Sequence, residues 1–125
     1  MTSEQQPRRS ILIVEDDADL RDSLADLLTE EGYQVVGAAN GQEALDYLRS
    51  AAPPCLILLD LMMPVMNGWE FREHQQKDPA LSTIPVAVVS GVRNALNRRA
   101  TLNAVEYFQK PVDLTALLQT VALYC

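Results

Sequence analysis

Five short apolar runs alternate along the chain with segments in which apolar residues recur at helical spacing, and no other feature restricts the fold as strongly. The runs, each predicted to be a strand, cover residues 11–14, 34–36, 55–59, 84–89 and 105–108. The predicted helices lie around 20–28 and at 41–49, 68–77, 92–102 and from 114 onwards, and Asn67 and Asp113 are predicted to cap the helices that begin at 68 and 114. Strands that are apolar throughout are buried on both faces, as in a parallel sheet covered by helices.

This alternation predicts an α/β protein, a doubly wound five-stranded parallel sheet of the (βα)5, flavodoxin-like type with strand order 2-1-3-4-5. A chain of 125 residues suits one such domain, which we expect at 10–125 after a flexible polar lead-in at 1–9. In sheets of this kind, binding sites lie beyond the carboxyl ends of the strands.

Charge and composition exclude several classes of function. The net charge of −7 and the pI of about 4.5 argue against a general nucleic-acid-binding surface. No apolar stretch approaches the roughly 20 residues that cross a bilayer, and the N-terminus has no hydrophobic signal core. We therefore expect a cytoplasmic protein without membrane insertion, in which Cys55 and Cys125 are reduced thiols.

Polar side chains follow four of the predicted strands at their carboxyl ends. They are Glu15-Asp16-Asp17, Asp60, Ser90-Gly91 and Lys110-Pro111. Taken singly, the acidic run is typical of a helix N-terminus, the serine of a turn and the lysine of a surface, while Asp60 is equally a cap or a site residue. Parallel strands end on one edge of the sheet, roughly 4.8 Å apart, so the agreement of the four segments favours a site.

The chemistry of such a site follows from its charges. Three neighbouring carboxylates repel one another by roughly 1–4 kcal/mol per pair at about 4 Å, and a hard divalent cation such as Mg²⁺ relieves this repulsion. Beside a metal, Asp60 keeps one oxygen free as a nucleophile and can form an acyl phosphate. Lys110 and the Ser90 hydroxyl then supply the charge and the donor that a transferring phosphoryl group needs. The single histidine, His74, is expected to be a solvated residue of the third helix.

Four motifs give the chain a specific resemblance over residues 10–124. They are ILIVEDD, LLDLMMPVMNG, VAVVSG and YFQKP, in that order. With them, the sequence resembles the response-regulator receiver domain of two-component signalling, the CheY-like family, in a single-domain form. The resemblance implies that Asp60 accepts a phosphoryl group and that Mg²⁺ is held by Glu15, Asp16, Asp60 and the backbone carbonyl of Met62, with Glu15 acting through water.

The same resemblance assigns the switch and the partners. Ser90 would turn toward the phosphate, Lys110 would pair with it, and Pro111 would follow a cis peptide bond. Tyr107 would be the aromatic switch residue, although a half-packed aromatic at a strand edge is a fair competitor. The implied phosphodonor is a sensor histidine kinase or phosphotransfer protein. The implied output surface is formed by the fourth helix, the fifth strand and the fifth helix, and it would bind a downstream protein target or a second copy in a homodimer. The implied activity is that of a signalling receiver, which catalyses only its own phosphorylation and slow dephosphorylation.

Several positions depart from the family pattern. Asn103-Ala104 stands where many members have Gly-Ala, and asparagine tolerates the left-handed conformation that glycine would supply. Gly91 replaces the usual alanine. Met62 and Val92 flank the expected phosphate where other members carry polar groups, and apolar side chains cannot hold an attacking water by hydrogen bonds. We therefore hypothesise that the phosphoryl group on Asp60 is not short-lived.

Three other classes of function compete with the receiver. A haloacid-dehalogenase-type phosphatase needs a second carboxylate two residues after the nucleophile, where this chain has Met62. In an FMN carrier of the flavodoxin type, the acidic run after strand 1 would repel the cofactor's phosphate. The alternative that remains open is a degenerate receiver that acts only as a protein-binding module, although Asp60, Lys110 and the acidic pair are all retained.

Overall fold

The computed structural model describes residues 10–91 and 102–125, and these form one parallel sheet with helices on both faces. The strands are β1 (Ser10–Val14), β2 (Gln34–Ala38), β3 (Leu56–Leu59), β4 (Val86–Ser90) and β5 (Glu106–Gln109). The helices in the described ranges are α1 (Ala18–Glu30), α2 (Gly41–Ser50), α3 (Gly68–Lys77) and the C-terminal helix (Leu114–Tyr124). Within those ranges, no helix has the length and apolarity needed to span a bilayer.

The strand order is β2-β1-β3-β4-β5, and all four pairings are parallel, which confirms the predicted doubly wound fold. The register places Val14 of β1 beside Leu59 of β3, so the residues that follow these two strands emerge side by side. The strand boundaries differ from the prediction by one or two residues. The run predicted at 84–89 begins as a strand only at Val86, because Ile84 belongs to the preceding turn, and it ends on Ser90.

Alternate residues of the sheet enter two separate cores. Leu12, Val14, Ile57 and Leu59 face α2 and α3, whereas the odd-numbered Ile11 and Ile13 and the even-numbered Leu56 and Leu58 face α1 and the C-terminal helix. Every residue of β3 and β4 is buried. This burial on both faces explains why the strand sequences are continuous apolar runs without polar alternation.

Each described helix begins at a polar side chain that satisfies its free amides. Asp17 caps α1, Asn40 caps α2, Asn67 forms a capping box with Glu70 at the start of α3, and Asp113 caps the C-terminal helix. The predicted caps at 67 and 113 are confirmed. Asp17 therefore serves a helix, while its two acidic neighbours remain available to the edge of the sheet.

A buried arginine ties α3 to the segment that precedes β5. The guanidinium of Arg72 donates to the carbonyl oxygens of Leu102 and Asn103, at 2.7 and 2.9 Å, and to Oε1 of Gln75 at 2.7 Å. Gln75 in turn donates to the carbonyls of Leu81 and Ile84. Burial lowers the pKa of Arg72, and the arrangement of acceptors around the cation is what makes its burial tolerable.

The prediction that both cysteines are reduced is wrong. Cys55, just before β3, and Cys125, after the C-terminal helix, form a disulfide with a Cα–Cα distance of 5.4 Å. The two residues are 70 positions apart in sequence, and only the folded sheet brings them together. Sequence spacing alone cannot reveal such a pair, because both lie at the ends of elements that meet through tertiary packing.

Two predicted segments lie outside the described residues. They are the lead-in at 1–9 and most of the predicted fourth helix at 92–102, including Val92 and three arginines, Arg93, Arg98 and Arg99.

Two expected backbone features are present near β5. Asn103 has a φ of 50°, which confirms the left-handed conformation expected where many family members carry glycine. The peptide bond before Pro111 is cis, as expected from the resemblance.

We expect that Arg72→Ala lowers the free energy of unfolding by about 3 kcal/mol or more, because it leaves two carbonyls and the Gln75 amide oxygen without their buried donor. Urea denaturation monitored by circular dichroism measures the change. Arg49→Ala, at an exposed position of α2, is the matched control and should change stability by less than about 0.5 kcal/mol. Equal effects of the two substitutions would contradict a structural role for the Arg72 network.

Candidate functional site

Three carboxylates converge at the carboxyl edge of the sheet. Glu15 and Asp16 follow β1, and Asp60 follows β3, the neighbouring strand. One oxygen from each of the three carboxylates lies within 4.8 Å of the other two. Glu15 and Asp60 are buried, whereas Asp16 is exposed, so the cluster is open on one side. The structure therefore brings together the acidic residues that the sequence placed at this edge.

Lys110, which follows β5, reaches across β4 to the acidic cluster. Its ammonium lies 2.9 Å from Oε1 of Glu15 and 3.4 Å from Oδ2 of Asp60. Its backbone N–H donates to the carbonyl of Ser90 at 2.9 Å, which fixes the end of β5 against β4. The shorter contact is with Glu15, a partner that the sequence analysis did not assign to Lys110.

Burial and neighbouring charges shift the pKa values of Glu15 and Lys110. Removal from water raises the pKa of Glu15 to about 7, and the charge of Asp60 adds to the increase, while hydrogen bonds from Lys110 and from the Asp17 amide oppose it. Burial alone would lower the pKa of Lys110, but the neighbouring carboxylates of Glu15 and Asp60 outweigh it, so its pKa is raised. Lys110 is therefore held as a cation, whereas burial, more than the charge of Asp60, disfavours the ionised form of Glu15.

The backbone around Asp60 holds its carboxylate at the edge. The Asp60 amide donates to the carbonyl of Val14 at 2.9 Å, and the Met62 amide approaches Oδ1 of Asp60 at 3.4 Å. Gly68 packs closely behind this turn, since a Cβ there would lie 2.5 Å from the Asp60 carbonyl oxygen and 2.7 Å from Cα of Leu61. A side chain at 68 would thus displace the loop that presents Asp60. The role of the Met62 carbonyl as a metal ligand stays a prediction.

Ser90 and Tyr107 lie on β4 and β5, the two strands that follow β3 in the order of the sheet. Ser90 is the buried last residue of β4, next to β3. Tyr107 is half-buried, packs against the core beneath α2 and α3, and accepts a hydrogen bond from the Ala104 amide at 3.3 Å through its hydroxyl. Their positions are compatible with the predicted switch, which itself stays a prediction.

One contact at the site was missed in the sequence. Nη1 of Arg21, in α1, donates to the backbone carbonyl of Glu15 at 2.7 Å, and its stem lies 3.0 Å from where a Cβ of Gly37 would be. A cation near a helix N-terminus opposes the helix dipole. The sequence shows this unfavourable position of Arg21, which indicates that the side chain has a specific partner.

The loop after Asp60 contains a strained residue. Val65 has a φ of 68° and is 80% exposed, and the Met66 amide donates to the Pro64 carbonyl at 2.7 Å to close a three-residue turn. A β-branched residue in the left-handed region is a genuine outlier and costs about 1–3 kcal/mol. The strain lies within the loop that carries the exposed side chain of Met62 close to Asp60.

The donor set fits a hard divalent cation. The carboxylate oxygens of Glu15, Asp16 and Asp60 are the ligand type that Mg²⁺ prefers, and the exposed side at Asp16 leaves room for the waters that Mg²⁺ retains. A thiolate or imidazole, which would favour zinc, does not contribute to this cluster.

Comparisons with known proteins agree with this geometry. The family model for the response regulator receiver domain matches residues 11–122. Sporulation initiation phosphotransferase F of Bacillus subtilis is 32% identical over 114 residues, covering 91% of this chain and 91% of that protein. Alkaline phosphatase synthesis transcriptional regulatory protein SphR of Synechococcus elongatus is 36% identical over 122 residues, covering 90% of this chain but 47% of SphR, so the chain spans about half of that relative.

A solved structure supports the same relationship. The response regulator protein TrrA from Thermotoga maritima, in complex with Mg²⁺-BeF, superimposes with a TM-score of 0.82 at 28% sequence identity. The similarity covers 93% of this chain and 98% of TrrA.

Without divalent cations, we expect the free energy of unfolding to contain a contribution from Glu15 that falls as pH rises from about 4.5 through about 7. The folded state binds this proton more tightly than the unfolded state, so ionisation disfavours folding across that window. Glu15→Gln should remove the contribution, and the wild-type and variant profiles should diverge toward high pH. Glu73→Gln, at an exposed position, is the control; a Glu15→Gln profile parallel to the wild type would contradict the assigned pKa.

We expect that Val65→Gly raises the free energy of unfolding by about 1 kcal/mol, because relief of backbone strain exceeds the entropic cost of glycine. Gly32, whose φ is 95°, offers the opposite control, since Gly32→Ala should lower stability by about 1 kcal/mol. Chemical denaturation of both variants tests the pair. A loss of stability in Val65→Gly would show that the turn is not strained.

Proposed function

The chain belongs to the response regulator receiver domain family of two-component phosphorelay signalling, and we propose that Asp60 is its phosphoacceptor in a Mg²⁺-dependent reaction. Receiver domains are signalling proteins and not classical enzymes. The observation that carries the proposal is the buried carboxylate of Asp60, held 3.4 Å from the Lys110 ammonium and within the Glu15–Asp16 cluster. A buried carboxylate without a chemical role would be costly beside two others.

Each side chain of the site has a separate role in the proposed phosphoryl transfer. One oxygen of Asp60 attacks the phosphorus atom, the bond from phosphorus to the donor's leaving group breaks, and that group departs with the bonding electrons. Lys110 neutralises charge on the phosphoryl oxygens, and the Ser90 hydroxyl donates a hydrogen bond to them once the product has formed. Glu15, Asp16 and Asp60 would hold Mg²⁺, which when bound would supply further charge neutralisation for the phosphoryl group.

The proposed phosphodonor is a sensor histidine kinase or a phosphotransfer protein. A phosphorylated imidazole carries the leaving group that a carboxylate can displace, and the open side of the cluster at Asp16 leaves a path for such a side chain. The relative from Bacillus subtilis, of which this chain covers nearly the whole length, is named a phosphotransferase, which supports a place within a relay.

For output, we propose binding of a protein target, or of a second copy, through the face formed by the predicted fourth helix, β5 and the C-terminal helix. Tyr107 lies on this face, and its side chain would turn inward when Ser90 moves toward the phosphate. Exposed apolar residues at the borders of these elements, Val105, Leu114 and Tyr124, offer contact area.

We further propose that the phosphorylated state persists. The side chain of Met62 is 60% exposed beside Asp60 and cannot hold an attacking water by hydrogen bonds. A measured half-life of seconds for the acyl phosphate would contradict this proposal. The alternative of a degenerate, purely binding receiver is not favoured, because the acidic cluster and Lys110 are assembled as the chemistry requires.

The test is incubation of the protein with Mg²⁺ and acetyl phosphate, followed by detection of an acid-stable, base-labile phosphate. We expect labelling of the wild type, none of Asp60→Asn, and unchanged labelling of Asp46→Asn, which alters an exposed carboxylate on α2. Labelling that persists in Asp60→Asn, or in wild type without Mg²⁺, would overturn the mechanism.

A further inference from the structure

The disulfide joins two elements at the edge of the sheet opposite Asp60. Cys55 precedes β3, and Asp60 follows it, so about five strand residues, or roughly 17 Å, separate them. The Cys55 amide donates to the Ser10 carbonyl at 2.8 Å, which fixes this cysteine to β1. The covalent bond therefore attaches its partner, Cys125, to the rigid centre of the sheet without contacting the phosphorylation site.

The attached turn has little else to hold it. Val121 is the last residue of the C-terminal helix that is fully buried, and Ala122, Leu123 and Tyr124 are exposed. The last turn contains no basic residue to offset the helix dipole. Helix ends of this kind fray readily, and here the Cys125 amide bond to the Val121 carbonyl and the disulfide oppose fraying.

Both cysteines are partly exposed to solvent and also pack against the core beneath α1 and the C-terminal helix. Exposed disulfides are more labile than buried structural ones, and in a reducing compartment disulfides are typically transient. The pair thus combines geometry suitable for a disulfide, with a Cα–Cα distance of 5.4 Å, and access for an exchange partner.

We propose that Cys55 and Cys125 are a reversible thiol–disulfide exchange site that takes a low-molecular-weight disulfide, such as oxidised glutathione, as its co-substrate. One protein thiolate attacks the glutathione disulfide, releases one glutathione thiolate and leaves a mixed disulfide on the protein. The second protein thiolate attacks the protein sulfur of that mixed disulfide and releases the other glutathione. The two cysteines lose two protons and two electrons, and oxidised glutathione becomes two reduced molecules.

The consequence is redox control of the end of the C-terminal helix. In the oxidised protein, Cys125 holds the last turn against the start of β3, and Leu123 and Tyr124 keep a fixed position. In the reduced protein the last turn of the C-terminal helix is no longer held, and the surface formed by Leu123 and Tyr124 loses its fixed arrangement. Because the site is distant from Asp60, the redox state acts on this surface and leaves phosphoryl transfer unchanged.

The first experiment is a titration of the purified chain in mixtures of reduced and oxidised glutathione, with free thiols trapped by a high-mass maleimide. We expect one two-electron transition between a dithiol and an internal disulfide, with the mixed disulfide as a minor species. Cys55→Ser and Cys125→Ser should form only the mixed disulfide. Absence of an internal disulfide at every ratio, or an internal disulfide that reduced glutathione never opens in the folded protein, would overturn the proposal.

A second measurement tests the consequence. We expect amide hydrogen exchange at residues 122–125 to accelerate by about tenfold or more on reduction, and the melting midpoint to fall by roughly 10 °C. Cys125→Ser in oxidising buffer should match the reduced wild type. Equal exchange in both redox states would overturn the tethering role.

Acetyl phosphate labelling separates this proposal from the proposed phosphoacceptor. Labelling should be equal in the oxidised and reduced proteins. A strong dependence on redox state would contradict the independence of the two edges. A chain that cycles with glutathione and remains unlabelled in both states would refute Asp60 as the phosphoacceptor while supporting the thiol site.

Discussion

The contact of the Lys110 ammonium with Glu15 and Asp60 is the interaction on which the site depends. Two carboxylates from neighbouring strands are buried next to each other, and the cation from β5 offsets their repulsion. The compensation is incomplete, because the pKa of Glu15 is still raised to about 7. Burial is the main cause of this shift, and a divalent cation held by the three carboxylates, as proposed, would favour the ionised form of Glu15.

The fold supplies this contact through the order of the strands. β1 and β3 are neighbours, so their carboxyl ends present Glu15 and Asp60 side by side, and β5 lies close enough for a lysine side chain to span β4. The same edge tolerates unusual backbone. Gly68 packs against the Asp60 turn, and Val65 holds a left-handed conformation, so local stability is reduced where the phosphoryl group is proposed to bind.

At the opposite edge of the sheet, two links attach neighbouring elements to one another. The disulfide joins β3 to the end of the C-terminal helix, and the Arg72 network holds the segment before β5 against α3. The Arg72 network ends on the segment before β5, the strand that carries Tyr107, whereas the disulfide ends on the C-terminal helix, which packs on the other face of the sheet. The hydroxyl of Tyr107 accepts a hydrogen bond from the Ala104 amide, in the segment that Arg72 holds, so the Arg72 network contributes to the position of that tyrosine from a place well away from Asp60.

The sequence by itself determined the sheet order, the bounds of α3, the caps at Asn67 and Asp113, and the edge at which Asp60 lies. The helix bounds and caps follow from periodicity and capping chemistry, which are local properties. The sheet order, and with it the edge at which Asp60 lies, follows from the alternation of strands and helices along the chain. Only the tertiary structure decided that Lys110 contacts Glu15 more closely than Asp60, that Cys55 meets Cys125, and that Arg72 is buried. Arg72 and Gln75 share the face of α3 that carries Gly68 and Phe71, so a signal was present, but their acceptors lie on segments distant in sequence. Such pairings depend on which chain ends the folded sheet brings within a few ångströms, and no local pattern encodes that distance.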